Sequence, residues 1–298
     1  MKRDGHTHSE YCPHGRIGDT EELILAAAAQ GFTHYSVTEH SPMPEDFFRR
    51  VPEDLREEAR RTVMRPGDLE HYLGKMHRLK EKYRDRIALS VGLEVEYVEA
   101  FAGWTRDLLD EYGPQLDDGL VSVHYLALPR NFSAAGPGGK PLPPTPGEPE
   151  VFLPMDLSYD LNRQTLLPAL GGPEGFRRAY FGAVRASAQA DLGRYGPKRL
   201  GHISLCQKFD LALPQEERGY SPALEEEILR LLGAAKERGF ALDFNVAGLR
   251  KPQSPEFYPG RWIARRALAL GIPLVYGSDS HHVSEVGLYY DVYRQYAQ

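Results

Sequence analysis

The sequence predicts an α/β fold in which seven strands alternate with helices around a parallel sheet. Short runs rich in β-branched and aromatic residues alternate with longer amphipathic runs, as strand–helix units do. Several helical runs stop at a glycine, such as Gly31, Gly239 and Gly271. Repeated strand–helix order implies a parallel sheet. Because an α/β barrel of ~250 residues forms one domain, we expect residues 1–298 to be a single domain.

The elements follow one another with short linkers over most of the chain. The predicted strands cover residues 4–8, 32–38, 87–95, 120–125, 200–205, 240–246 and 272–279. The predicted helices cover 23–30, 68–83, 101–112, 173–192, 222–238, 261–270 and 283 to the end. Residues 42–67 are predicted to be a loop with one or two helical turns, and residues 129–172 a Pro/Gly-rich insert.

Composition excludes several classes of function. The net charge is -6 without a basic block, so a nucleic-acid partner is not expected. No apolar run approaches the ~20 residues that span a membrane, so no membrane partner is expected either. The cysteines, Cys12 and Cys206, make no disulfide framework, which favours a cytoplasmic location. A homo-oligomer is compatible with the sequence, which shows no interface signature.

Histidines and acids gather at the ends of the predicted strands. His6 and His8 alternate on one extended segment, so their imidazoles point to the same face. In a parallel barrel the carboxyl ends of all strands share one mouth. Nine candidate ligands therefore converge there: His6, His8, His14, His40, Glu94, His124, His202, Asp279 and His281.

This donor set indicates a centre with more than one metal ion. Imidazole and carboxylate donors without a thiolate suit divalent ions such as Zn, Fe or Mn. Nine ligands exceed the coordination of one ion, so we expect two or three ions, and a carboxylate such as Glu94 can bridge two of them. Clustered metal ions suit the hydrolysis of phosphate esters, because they generate hydroxide near neutral pH and bind phosphoryl oxygens.

The motifs also resemble those of a known superfamily. They are His6-Thr7-His8, His14, Thr38-Glu39-His40, Gly92-Leu93-Glu94, Ser122-Val123-His124, Gly201-His202 and Gly277-Ser278-Asp279-Ser280-His281. In this order they resemble the polymerase-and-histidinol-phosphatase (PHP) superfamily, and Asn245–Lys251 resembles its histidinol-phosphatase branch. The resemblance implies a distorted seven-stranded, TIM-like (β/α) barrel, a trinuclear metal centre and hydrolysis of L-histidinol phosphate in histidine biosynthesis.

The resemblance also assigns roles to the ligands. It gives His6, His8, Glu94 and Asp279 to one ion, all or some of His14, His40 and His281 to a second, and Glu94, His124 and His202 to a third. It leaves Asp279, His40 or His202 as the catalytic group that protonates the leaving alkoxide. Two features depart from the family pattern: Asp243 stands where a glutamate is expected, and the insert is unusually rich in proline and glycine.

The substrate contacts are less sharply indicated. Arg250, Arg163 and Lys208 are candidates for binding the phosphate, although each could equally be a surface charge. The insert offers Phe132, Phe152 and Asp156 to the rest of the substrate. Glu39 and Glu96 either orient imidazoles or are solvated, and both cysteines are expected to be spectators.

Three other functions compete with histidinol phosphate hydrolysis. The first is hydrolysis of another phosphate ester, such as a nucleotide or phosphotyrosine. The second is a non-catalytic module of a polymerase, which the lack of any polymerase region in 298 residues disfavours. The third is metal-dependent amidohydrolysis, for which the sequence lacks a lysine at the end of a predicted strand.

Overall fold

Seven parallel strands form the central sheet of the protein. The computed structural model describes residues 1–15, 18–129 and 150–296. The strands within these ranges are β1 Arg3–Asp4, β2 His34–His40, β3 Ala88–Glu96, β4 Asp118–Ser122, β5 Tyr125–Pro129, β6 Glu150–Pro154, β7 Arg199–Leu200, β8 Ala241–Asn245 and β9 Leu274–Gly277. The order in the sheet is β1-β2-β3-β4-β7-β8-β9, and every pairing is parallel.

Backbone hydrogen bonds between the two ends of the chain bring the first and last strands together. The Gly5 amide donates to the Tyr276 carbonyl over 2.8 Å, and the Asp279 amide donates to the His6 carbonyl over 2.8 Å. The His8 amide continues this pairing with the Ser280 carbonyl at 3.1 Å. The sheet therefore curls into a nearly closed barrel, as predicted, and the His6–His8 segment lies beside the segment that carries Asp279.

Helices cover the outside of the barrel. They are α1 Thr20–Ala29, α2 Glu45–Arg49, α3 Arg56–Arg61, α4 Leu69–Tyr83, α5 Ala102–Tyr112, α6 Tyr159–Leu161, α7 Leu167–Ala169, α8 Pro173–Gln189, α9 Pro222–Glu237, α10 Arg261–Ala269 and α11 Tyr290–Arg294. α1 begins where Asp19 accepts a hydrogen bond from the Glu21 amide. The apolar stripe of α4 is buried, and its Tyr72 hydroxyl donates to the carbonyls of Val37 and Gly92. The helix is thus fixed against β2 and β3.

The predicted insert contains regular structure where it is described. β5 and β6 form an antiparallel pair, and Phe152 of β6 stacks on Phe47 of α2 with the ring centroids 5.6 Å apart. A π-helical turn, Asn162–Leu166, joins α6 to α7. Residues 130–149 of the insert, including Phe132, lie outside the described residues. Residues 150–169 of the Pro/Gly-rich insert therefore contain a strand and short helical turns.

The C-terminal segment also differs from the prediction. Instead of one helix from residue 283 onward, the described residues form a short 3-10 turn, Val283–Glu285, and then α11. Gly287 and Tyr289 separate the two, because both adopt positive φ angles of 72° and 56° that an α-helix cannot contain. None of the helices in the described ranges combines the length and apolar composition needed to cross a membrane.

Candidate metal centre

A cavity of about 230 Å³ opens at the carboxyl ends of the barrel strands. Seven of the nine predicted ligands line it: His14, His40, Glu94, His124, His202, Asp279 and His281. His6 and His8 are fully buried, and their Nε2 atoms lie 3.3 and 3.5 Å from Oε2 of Glu94. The structure therefore brings all nine side chains into one cluster.

Glu94 lies at the centre of this cluster. The register of β2 and β3 pairs His40 directly with Glu94, and the Glu94 Oε2 atom is 3.1 Å from Nδ1 of His40. The other oxygen, Oε1, is 2.9 Å from Nε2 of His202 and 3.7 Å from Nε2 of His124. Each carboxylate oxygen thus faces a different set of imidazoles, which is the arrangement that a carboxylate bridging two cations requires.

The donor atoms fall into three groups in which all members lie within 4.8 Å of one another. The groups are His6, His8 and Asp279; Glu94, His124 and His202; and His8, Cys12, His40 and His281. Cys12 was predicted to be a spectator, but its thiol lies at the third group. His14 is more peripheral: its ring is 5.0 Å from that of His281, and its Nδ1 is 3.0 Å from the Arg61 carbonyl.

Several imidazole nitrogens in the cluster have no hydrogen-bond partner among the described residues. The Nε2 atoms of His6, His8 and His281 are buried and unsatisfied. Leaving a buried polar atom unpaired costs about 1–3 kcal/mol, and a cation coordinated by the nitrogen lone pair removes that cost. The side chains present therefore fit divalent metal ions.

Carboxylates behind the cluster hold three of the imidazoles in place. Asp243 Oδ2 is 2.7 Å from Nδ1 of His6, Glu39 Oε1 is 3.1 Å from Nδ1 of His8, and Glu96 Oε2 is 2.6 Å from Nδ1 of His124.

Such contacts fix the ring orientation and leave Nε2 free to bind a metal. Glu39 and Glu96 were considered for this role, whereas the contact of Asp243 with His6 was missed. Asn245 extends the contact, because its amide donates to both Asp243 and Asp279.

The charges of the cluster shift its protonation equilibria. Burial alone would lower the pKa of His8, but Asp279 and Glu39 outweigh burial and raise it to about 9. Burial alone would raise the pKa of Glu94, yet the neighbouring imidazoles of His6 and His40 hold it well below its usual range. The carboxylates therefore stay ionised and require positive charge between them, which protons or metal ions can supply.

Two of the candidate ligands have unusual backbone conformations. His202 has a φ of 22° and Asp279 a φ of 53°, in the left-handed region that residues other than glycine seldom adopt. Arg250 braces the second of these positions, because its guanidinium donates to the carbonyls of Ser278 and Asp279 at 2.7 and 3.0 Å.

The predicted phosphate-binding cations are not all at the cavity. Lys208 lines it, with its Nζ 2.8 Å from Oδ2 of Asp156. Arg250 is turned toward the backbone of residues 278 and 279, and Arg163 is 55% exposed and 3.6 Å from Asp160. Neither arginine is among the described residues that line the cavity. Lys251 does line it, and it forms no ion pair with a carboxylate within the described ranges.

Comparison with known proteins identifies a family and relatives that match this chain. The model of the PHP domain matches residues 4–247. A histidinol-phosphatase of Bacillus subtilis (strain 168) is 34% identical over 294 residues, which cover 98% of each protein.

A crystal structure from Listeria monocytogenes, provisionally assigned as the histidinol phosphatase hisK, is 39% identical, with a TM-score of 0.87 and coverage of 98% of this chain and 100% of that one. The histidinol phosphate phosphatase of Lactococcus lactis, solved with zinc, L-histidinol and phosphate, shares the fold at 17% identity, with a TM-score of 0.65 over 99% of this chain and 93% of that one. The chain therefore belongs to the PHP domain family, in its histidinol-phosphatase branch.

Proposed function

We propose that this protein is a metal-dependent phosphomonoesterase that hydrolyses L-histidinol phosphate to L-histidinol and phosphate. The observation that carries the proposal is the position of Glu94, whose two oxygens face separate sets of imidazoles inside one cavity. The name of the Bacillus subtilis relative, 34% identical over nearly the whole chain, supports the choice of substrate.

The three groups of donors indicate which residues would hold the ions. His6, His8 and Asp279 form one set, Glu94, His124 and His202 a second, and His8, His40 and His281 a third, with the Cys12 thiol close by and His14 at its edge. Bound divalent ions would supply a hydroxide nucleophile near neutral pH and would neutralise charge on the phosphoryl oxygens. Asp243, Glu39 and Glu96 keep the imidazoles oriented for this purpose.

Other side chains of the cavity act directly on the substrate. Lys251 and Lys208 supply positive charge for the phosphate, and Asp156 holds Lys208 in place. The leaving alkoxide requires a proton. Asp279, His40 and His202 line the cavity, and one of them would take a proton from the attacking water and then donate it to the alkoxide.

The test is phosphate release from L-histidinol phosphate with zinc or manganese supplied. The comparison substrates are a nucleoside monophosphate, phosphotyrosine and p-nitrophenyl phosphate. We expect L-histidinol phosphate to be preferred by ~10³ in kcat/KM, which corresponds to about 4 kcal/mol in transition-state binding. Slow and equal turnover of all esters would contradict the choice of substrate and favour a different phosphate ester.

A pair of histidine variants tests the metal centre separately. His8→Ala removes a fully buried donor of two groups, whereas His71→Ala removes an exposed imidazole on α4. We expect the first change to lower phosphate release and zinc content by orders of magnitude and the second to change neither. Full activity of His8→Ala would refute the assignment of the centre.

Several expectations accompany this proposal and stay predictions. They are a single domain over residues 1–298, two or three ions of Zn, Fe or Mn, a cytoplasmic location, a homo-oligomer, and no nucleic-acid or membrane partner. Zinc is the first metal to test, because the Lactococcus lactis protein with the same fold was solved with zinc.

A further inference from the structure

Five carboxylates of the described residues line the cavity: Glu58, Glu94, Glu96, Asp156 and Asp279. All of them except Glu58 have a close partner. Glu94 and Asp279 face the imidazoles, Glu96 is 2.6 Å from Nδ1 of His124, and Asp156 is 2.8 Å from Nζ of Lys208. Among the described lining residues, Glu58 is the carboxylate whose nearest charged partner is farthest away: Arg61 lies 3.7 Å from it, and that arginine is 65% exposed. Glu58 is therefore available to a cation that enters the cavity.

The position of Glu58 is fixed by its neighbours on α3. Ala59, the next residue, is 1% exposed and belongs to the hydrophobic core. Thr62, one turn after Glu58, has its hydroxyl 2.9 Å from that of Tyr125. These contacts anchor the helix against β5 and place Glu58, Ala59 and Thr62 on the cavity wall. The Glu58 side chain is 44% exposed, so it lies where the cavity meets solvent.

Tyr125 lies on the same part of the cavity wall as Glu58. Its hydroxyl is 2.9 Å from that of Thr62, and both residues line the cavity together with Glu58. This part of the wall therefore combines a carboxylate with two hydroxyl groups that can accept hydrogen bonds. In contrast, the imidazole cluster and the two lysines, Lys208 and Lys251, favour an anion. A ligand that suits both regions has a phosphate at one end and a cation at the other.

We propose that Glu58 binds the cationic end of the substrate and makes the enzyme selective for phosphate monoesters that carry an ammonium or imidazolium group. This inference rests on the proposed function. A carboxylate that accepts a hydrogen bond from a cation makes a charge-assisted bond, which is stronger than a neutral one. Phosphate esters without a cationic group gain no binding energy from Glu58. The residue therefore contributes to substrate specificity, while the phosphate is bound elsewhere in the cavity.

The test compares Glu58→Gln with Glu57→Gln. Glu57 is its neighbour on α3, is 82% exposed and does not line the cavity, so it is a matched control for the loss of one negative charge. For L-histidinol phosphate we expect Glu58→Gln to lower kcat/KM about tenfold, mainly through KM. For p-nitrophenyl phosphate we expect less than about a twofold change. Glu57→Gln should leave both substrates unaffected.

Product inhibition gives an independent readout. The inhibition constant of L-histidinol should rise in Glu58→Gln by the same factor as KM, whereas that of inorganic phosphate should stay at the parent value. A structural defect would weaken both products. Equal losses on the two substrates, or values for Glu58→Gln that match Glu57→Gln, would overturn the role of Glu58.

Two truncated substrates identify the cation. O-phosphoethanolamine carries only the ammonium group, and 3-(imidazol-4-yl)propyl phosphate carries only the imidazole. The substrate whose kcat/KM falls in Glu58→Gln contains the group that Glu58 binds, and loss on neither would refute the proposal. Failure of the proposed function would be seen in the parent enzyme, as no preference for L-histidinol phosphate. Failure of this inference would be seen in the variants.

Discussion

Replacing Asp243 by asparagine should weaken metal binding while the fold persists. Asp243 is 1% exposed, and its Oδ2 is 2.7 Å from Nδ1 of His6 and 3.1 Å from the amide nitrogen of Asn245. The carboxylate thereby orients His6, whose Nε2 points to Glu94 at 3.3 Å. Asparagine has nearly the same shape but no charge, so the variant isolates the electrostatic part of this contact.

The magnitude follows from the contacts that change. A hydrogen bond to a charged group contributes about 1.5–3 kcal/mol and a neutral one about 0.5–1.5 kcal/mol, so the loss of charge costs about 1–1.5 kcal/mol. The Oδ1 atom of Asp243 is buried and accepts no hydrogen bond from the part of the chain that the structure describes. An amide group there would leave a buried donor unsatisfied, at a further cost of about 1 kcal/mol. The first of these costs corresponds to zinc affinity about tenfold below that of the parent, at the lower end of the 10- to 100-fold range typical of such supporting carboxylates. The second cost lowers the free energy of unfolding, because the amide is buried with or without zinc.

Chelator competition measures the zinc affinity of Asp243→Asn, of the parent and of a control. The control is Asp85→Asn, because the Asp85 side chain is 94% exposed and is not among the described residues that line the cavity of the metal centre. Denaturant unfolding of the metal-free proteins shows whether Asp243→Asn remains folded. A folded variant whose zinc affinity is within about twofold of the parent would show that the carboxylate does not support His6.

Three further changes test other parts of the structure. Gly277→Ala should lower the free energy of unfolding by about 1–3 kcal/mol, because its Cβ would lie 2.2 Å from Asp243 Oδ1 and 2.8 Å from His6 Cβ. Urea unfolding beside Gly67→Ala, where a Cβ meets nothing within 4 Å, measures this, and equal stability of the two variants would contradict it.

Removing metal with a chelator should abolish phosphate release, and added zinc should restore it; turnover by the verified metal-free protein would refute the mechanism. Burial alone would raise the pKa of Asp118, but Arg199 and Arg3 hold it below its ordinary 3.8. Its stabilisation is therefore present above pH 3.8 and lost as the pH falls through the lowered pKa. Asp118→Asn should reduce the acid dependence of the unfolding free energy, and an unchanged dependence would contradict this sign.

The sequence predicted well which residues lie together at the strand ends, because this prediction requires only that the strands form a parallel barrel. Any parallel barrel gathers the carboxyl ends of its strands at one mouth, so His40, Glu94 and His202 had to be neighbours whatever the register. The contact between Asp243 and His6 depends on register and strand order, which bring residues 237 positions apart to 2.7 Å. Neither the register nor the strand order can be derived from the sequence pattern around Asp243.

Arg250 shows a second limit of sequence reasoning. Its position after β8 correctly placed it near the mouth, but its guanidinium donates to two backbone carbonyls. Residue type and position along the chain do not determine which way a long side chain turns. Glu58 shows the converse: it lies on a short helix in the segment 42–67, for which one or two helical turns were predicted, but no sequence motif assigned it to the cavity wall.

The left-handed backbone conformations of His202 and Asp279 lower the stability of the fold at two positions whose side chains are needed for catalysis. Conformations of this kind cost about 1–3 kcal/mol each in residues other than glycine, and glycine adopts them freely. Laboratory evolution that selects for heat resistance alone should therefore accumulate glycine at positions 202 and 279, and each gain in melting temperature would remove one donor atom from the cavity. Selection for stability in this enzyme must therefore be coupled to selection for turnover.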